Sequence, residues 1–182
     1  MESVVFHLDE RLANAGDSLP LTGHIDQDSY SLGEREFALP EGIEYDLVLT
    51  NAGEGILATG VMRARVDGTC DRCLDPASFD VSAEVGQYFL FEEPEDAGDD
   101  DDDELEYGLV SPENDIDLGE AIMAALIMET PFVVLCREDC KGLCPTCGAN
   151  LNEGDCGCAA HAEQERRSAS PFAALANLKL DD

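Results

Sequence analysis

Basic side chains are scarce in this sequence. Ten Lys and Arg stand against 41 Asp and Glu in 182 residues, which gives a formal net charge of −31. A surface that negative repels phosphate, so it excludes broad wrapping of nucleic acid or of an anionic membrane and leaves room only for a local polyanion contact. Long apolar runs are also absent: none approaches the ~20 residues that cross a bilayer, and the opening MESVVFHLDE is acidic where a leader would be basic. The expectation is a soluble, unexported, cytoplasmic protein. Catalytic patterns are missing as well. There is no Ser/His/Asp ordering, no glycine-rich phosphate loop and no interleaved aromatic and basic patch, while carboxylates are too abundant for any pair of them to be informative. The reading is a non-enzyme with no small-molecule substrate.

The 44% hydrophobic content supports a true core, enough for one domain with a small appended module. From Ser3 to about Phe91 apolar residues recur at a period near two, the signature of half-buried strands. Ile43, Tyr45, Leu47 and Leu49 alternate with Glu44, Asp46, Val48 and Thr50, and a turn at Asn51 to Gly55 leads into a run placing Ile56, Ala58, Met62, Ala64 and Val66 on one face. Phe79, Val81, Ala83, Val85 and Phe89 alternate after it, and shorter strands are predicted near Val4 to Leu8, Leu19 to Ile25 and Glu36 to Leu39. Eleven of the fifteen residues from Glu92 to Glu106 are acidic, a composition that predicts a disordered loop, either a solvated insertion or a polyanion mimic that attracts a basic partner. Asp117 and Glu120 have capping-box spacing and predict a helix over 118–129, buried against the sheet and ending before Pro131. Ser170-Pro171 begins a second apolar stripe (Phe172, Leu175, Ala176, Leu178), predicting a short terminal helix.

The eight cysteines fall in close pairs: Cys70 with Cys73, Cys136 with Cys140, Cys144 with Cys147, and Cys156 with Cys158. Two thiolates in a tight turn can face one ion and a second pair completes a tetrahedron, so eight ligands match two structural zinc ions. Cys144-Pro-Thr-Cys147-Gly148 and Cys156-Gly-Cys158 form one closed site. The partner of Cys70 and Cys73 comes from far along the chain, where Cys136 and Cys140 remain; alternatively Cys140 joins the later cluster and leaves Cys136 free. A redox dithiol would sit beside a βαβ pattern, and a catalytic zinc would want an open position with His or carboxylate ligands. His7, His24 and His161 show no ligand spacing; the first two read as half-buried strand residues and His161 as a substitute ligand at most. Each four-thiolate zinc would carry a double negative charge, so basic neighbours matter. Arg72, Arg137 and Lys141 lie in the cysteine segments and Arg63 and Arg65 precede them. Arg63, Arg65, Arg72 and Lys141 are candidates either for charge balance or for a local island that touches RNA phosphate.

Several of these segments together resemble a known family. Cys70-Asp-Arg-Cys73-Leu74, Asp117-Leu118 before an apolar helix and Pro131, the run Cys140-Lys-Gly-Leu-Cys-Pro-Thr-Cys-Gly148 with Asn150-Leu-Asn152, and the ending Ser170-Pro-Phe-Ala-Ala-Leu-Ala-Asn-Leu-Lys179 are similar to the YceD family (domain of unknown function 177), over roughly residues 20 to 179. The resemblance implies a non-enzymatic cytoplasmic protein needed for accumulation of large-subunit ribosomal RNA, often encoded beside a zinc-containing large-subunit ribosomal protein. Family members differ in how many of the later cysteines they keep, so the metal count rests on this chain's own pairs. The long acidic insertion departs from the pattern.

The resulting expectation is an α+β fold: an antiparallel β-meander or partly open barrel with a buried helix and a C-terminal zinc-ribbon-like module. The β domain would span 1–135, the cysteine-rich zinc module 136–160, and a tail with a short helix 161–182. Such a protein would support ribosome biogenesis by holding a basic ribosomal protein or a pre-ribosomal large subunit, since its charge attracts Lys/Arg-rich partners. The competing expectation is a direct RNA-binding zinc protein that uses the basic island.

Overall fold

In the computed structural model, residues 3–93 and 107–169 are described. The greater part of the predicted acidic loop and the predicted terminal helix lie outside them. Contacts divide the chain into two compact units, one made of 1–68 with 78–132 and the other of 69–77 with 133–182.

The first unit is built on a mixed, mostly antiparallel sheet. Strands β2 (Ser18–Ile25), β3 (Ser29–Leu32), β4 (Arg35–Ala38), β5 (Ile43–Asn51), β6 (Gly55–Thr69) and β7 (Pro76–Leu90) are joined by β8 (Tyr107–Leu109). They pair in the order β2-β5-β6-β4-β3, and β7 adds to both β6 and β8 without closing a barrel. Register follows from the alternation in sequence. Ile43 faces Ala64, Leu47 faces Gly60 and Leu49 faces Ala58, so each pair lies on one face. Ile43, Leu47, Leu49, Ile56, Ala58, Met62 and Val66 are all buried, while the intervening Glu44, Asp46, Arg63 and Arg65 face solvent. One pairing departs from the antiparallel expectation: β7 and β8 run parallel, Phe89 opposite Gly108.

The predicted N-terminal strand is β1 (Val5–His7), and its partner is a strand that short-range periodicity does not reveal, β9 (Asp115–Asp117), with Phe6 opposite Ile116. Helix α1 (Gly119–Glu129) follows. Its start differs from the capping-box expectation, for Leu118 occupies the cap position and makes no side-chain cap bond. Asp117 instead uses Oδ1 to accept from the backbone N–H of both Gly119 (2.9 Å) and Val4 (3.0 Å), while Ser3 donates to Oδ2 at 2.6 Å. The carboxylate thus ties the start of the chain to the start of the helix.

Nor is α1 buried all round, as its nearly unbroken apolar composition suggests. Ile122, Met123 and Leu126 enter the core, but Ala124 and Met128 stay exposed. Alanine loses little by exposure, so a helix with small residues on one side need only be covered on the other. After α1, Thr130 is buried with both bonding roles satisfied, its hydroxyl meeting Tyr30 Oη at 2.7 Å and donating to the Leu126 carbonyl at 2.8 Å. Asn51, the other buried polar residue of the unit, donates to the Leu12 carbonyl and accepts from the Gly53 amide, which sets the turn between β5 and β6. His7 and His24 are exposed, contrary to expectation, and they meet Asp115 and Asp26.

Among its described residues the second unit has little regular structure. It contains the isolated bridge Leu143 to Asn150 and helix α2 (Cys158–Ala169), which starts at the last cysteine, in the expected zinc module, and runs on into the stretch expected to be a tail. Backbone bonds stitch its distant pieces together: Asp71 N–H to the Val134 carbonyl, Leu143 N–H to the Arg72 carbonyl, and Cys144 N–H to the Ala149 carbonyl.

Candidate metal centres

Two turns of the same construction hold the C-x2-C pairs. In each, the amide of the residue after the second cysteine returns to the carbonyl of the first, Leu74 to Cys70 at 3.0 Å and Gly148 to Cys144 at 2.8 Å. Both following residues sit in the left-handed region, at φ of 63° and 73°. Glycine adopts that conformation without strain, whereas Leu74 accepts a penalty on the order of 1 kcal/mol to complete the turn. Such a turn aims backbone N–H groups at the first sulfur. Amides of Cys147 and Thr146 accordingly lower the Cys144 thiol to about 6. Burial raises the Cys70 thiol, but the amides of Arg72, Cys136 and Cys73 outweigh it and bring that group also to about 6.

The turns come together with the other pairs in two clusters. Cys70, Cys73, Cys136 and Cys140 form one; Cys144, Cys147, Cys156 and Cys158 form the other; within each, the sulfurs lie within 4.8 Å of one another. The pairing question left by the spacing is thereby resolved, for Cys140 stands with Cys70 at 3.7 Å and Cys136 with Cys73 at 3.5 Å. A tetrahedron with metal–sulfur bonds of ~2.3 Å has edges of about 3.8 Å, whereas a disulfide bond is ~2.05 Å. The geometry suits four separate thiolates around one ion, and all eight cysteines are free. Burial in the first cluster raises Cys73 and Cys136, and crowding by Cys147 and Cys156 pushes Cys158 up to about 12. Four sulfurs so close cannot all ionise unless a cation shares the charge, which is what a soft divalent metal supplies. Among the described residues both clusters are cysteine alone. His161 lies on α2, where its ring meets Glu165 at 3.5 Å.

The clusters differ in access. Three of the four cysteines in the first are buried, while in the second Cys147 is exposed and Cys156 and Cys158 are half-buried. Asn152 links them. Its side-chain amide donates to Cys140 Sγ at 3.4 Å and its carbonyl oxygen accepts from the Lys141 amide, although the residue belongs to the loop of the second cluster. Sequence reasoning gave Asn152 no role beyond its place in the Asn150-Leu-Asn152 motif. We expect Asn152→Leu to weaken metal binding at the first cluster about 10- to 100-fold, the usual loss when a thiolate's hydrogen-bond partner is removed. Competition with a chromogenic chelator would measure it, and unchanged affinity would show the bond to be incidental.

The basic candidates are divided between the two units. Arg63 and Arg65 belong to the first unit and line a groove of about 440 Å³ shared with Glu41, Glu44 and Asp80. Arg65 meets Asp80 at 3.3 Å, and Arg63 lies opposite Glu44 in the register of β5 and β6. Arg72 and Lys141 belong to the second unit. There the Arg72 guanidinium donates to the Cys140 carbonyl at 3.0 Å and so braces the first cluster, while Arg137 meets Asp139.

Fold and clusters together define the class: a mixed, mostly antiparallel β protein whose second unit gathers two four-cysteine clusters that could hold metal. The particular family is shown by comparison. The chain belongs to the YceD family, whose model, described as "Large ribosomal RNA subunit accumulation protein YceD", matches residues 58–179. β1 to β5 precede the match, which is shorter than the resemblance in sequence implied. An uncharacterized protein of Mycobacterium tuberculosis (strain ATCC 25618 / H37Rv) is 38% identical over 122 residues, covering 66% of this chain and 58% of the relative. One of Mycobacterium leprae (strain TN) is 34% identical over 60% of this chain and 49% of its own. A Zea mays protein named "Large ribosomal RNA subunit accumulation protein YCED homolog 1, chloroplastic" is 27% identical over 51% of this chain and 40% of its own. The matched stretch thus spans less than two thirds of these relatives. No solved structure matches the chain.

Proposed function

We propose that this protein is a non-enzymatic factor of the cytoplasm that supports accumulation of large-subunit ribosomal RNA by holding a basic ribosomal protein or a pre-ribosomal particle, with two structural zinc ions shaping its second unit. Membership of the YceD family carries the first part of this reading. Charge carries the choice of partner. A chain at −31 attracts Lys/Arg-rich proteins, and its exposed arginines on the sheet share their groove with three carboxylates, a poor surface for phosphate. Zinc fits eight thiols in two tetrahedral clusters that contain no other donor among the described residues. Among the described residues, no helix is long and apolar enough to cross a membrane.

Affinity purification of the intact protein, with and without ribonuclease, tests the reading. A ribosomal protein that stays bound after ribonuclease and is released by salt is the expected result. Neutralising the acidic segment 92–106 should weaken that attachment, because surface attraction is screened over ~10 Å at 0.1 M salt. Attachment lost to ribonuclease, abolished by Arg63→Glu with Arg65→Glu and strengthened by neutralising the acidic segment would instead establish direct RNA binding.

A further inference from the structure

Helix α1 carries an apolar surface that the described residues leave uncovered. Met128 is 83% exposed, and Phe132, three residues beyond the end of the helix, is 92% exposed. An exposed phenylalanine forgoes the burial that a partner could recover. On the helix, at 3.6 residues per turn, Ala121, Ala124, Ala125 and Met128 form one stripe turned away from the buried Ile122, Met123 and Leu126. Phe132 follows Met128 by four residues, which at full extension of the chain keeps it within about 14 Å of that side chain's backbone. Arg35 donates to the Phe132 carbonyl at 3.3 Å, which holds the backbone there while the ring stays out.

On the helix itself the charged edges of this stripe are one-signed, the Arg35 guanidinium standing at Phe132, beyond the helix end. Glu120 and Glu129, both exposed, lie nine residues apart, about two and a half turns, and therefore on opposite sides of it. They are the charged residues of α1, whose last turn has no basic group to offset them. A row of alanines lets another helix approach closely, the large side chains at one end offer an anchor, and the flanking carboxylates select positive charge.

We infer that this face of α1 with Phe132 is the docking surface for an amphipathic basic helix of a partner protein, its apolar ridge on the Ala/Met stripe and its Lys or Arg residues against Glu120 and Glu129. The inference rests on the reading of a basic protein partner and gives that partner a surface and a secondary structure. A second copy of this chain would bring carboxylates against carboxylates, which disfavours self-association through the same face.

The test uses the full chain and a fluorescent synthetic helical peptide with leucine at i, i+3, i+4 and i+7 and lysine on both flanks, followed by anisotropy at low and high salt. A peptide of the same ridge with glutamate flanks is the comparison. The lysine peptide should bind, weaken with salt, and lose about tenfold or more in affinity against Met128→Ser with Phe132→Ser, and likewise against Ala124→Arg; the glutamate peptide should not bind. Because these side chains are exposed, unchanged circular dichroism should accompany the loss. Absent binding by the wild type, equal binding by the variants or equal binding of the glutamate peptide would overturn the inference. So would a dimer that the double variant dissociates, or binding that appears only after deletion of 170–182, for another occupant would then hold the surface. The two readings fail separately. If no ribosomal protein co-purifies with the wild type, the functional reading falls; if one co-purifies equally with the wild type and the Met128/Phe132 variant, this inference alone falls.

Discussion

Chelation is expected to take the second unit apart and leave the first folded. Among its described residues the second unit, drawn from two stretches of chain, has one isolated bridge and one helix, and places cysteines where a larger domain would place a core. Val134 is its fully buried large aliphatic side chain, while Cys70, Cys73, Cys140 and Cys144 are buried with it. A unit of that kind lacks the apolar area to offset chain entropy, and structural zinc contributes on the order of 10 kcal/mol in small domains. Helix α2 should register the loss first. It has twelve residues, near the limit for a lone helix in water, its described side chains are exposed or half-buried, and it starts at Cys158 of the second cluster. Native mass measurement should find two zinc ions, Cys144→Ser should lose one, and chelator should remove the helical signal of α2. A single ion in the wild type would sink the two-site reading.

Acid should act in the same direction as the chelator. Metal-bound thiols are held as thiolates, far below their pKa in the unfolded chain, so the stability they contribute is present at high pH and is lost as pH falls and protons displace the metal. The second cluster should empty before the first as pH is lowered, since its sulfurs are the more open to solvent. Release in the opposite order would show that exposure does not govern the exchange.

Phe37→Ala should destabilise the first unit by about 3–5 kcal/mol, a fifth or more of the stability of an ordinary domain. Phe37 is 1% exposed on the short strand β4, stacked on Tyr30 at 5.2 Å and edge-on to Phe79 at 6.2 Å, with the Arg35 guanidinium 5.5 Å from its ring centre. The ring is packed so closely that a Cβ on Gly68 would collide with it. Removal leaves a cavity bounded by strands that cannot collapse together, and it breaks the chain of contacts that places Tyr30 for its bond to Thr130. Denaturant unfolding should show a lower midpoint with an unchanged slope. A loss under 1 kcal/mol would mean that the strands close around the gap.

Much of the protein was legible because it depends on local spacing. A period of two placed the faces of β5, β6 and β7, because in a half-buried sheet each core position demands an apolar side chain and each outer one tolerates charge. The cysteine pairs could be read for a similar reason, since two thiolates two residues apart need only a tight turn to face one ion. The strand β9 could not be read. Its three residues are aligned by pairing with β1, more than a hundred residues earlier in the chain, and a contact of that range leaves no periodic mark. The cap of α1 was misread for the same reason, Asp117 being drawn to Val4 and Ser3 as well as to the helix.

The sequence by itself therefore determined the number of metal-binding pairs, the sheet's inner face and the sign of the protein's charge, all properties of neighbours along the chain. Tertiary structure decided the rest. It joined Cys70 and Cys73 to Cys136 and Cys140, because only folding brings residues 60 apart within 4 Å. It also placed Asn152 on a sulfur of the other cluster, set carboxylates beside Arg63 and Arg65, and left Met128 and Phe132 uncovered in a stretch whose composition points to burial. Each of these depends on what the folded chain places opposite a side chain, and apolar or basic character in sequence says nothing of that opposite surface.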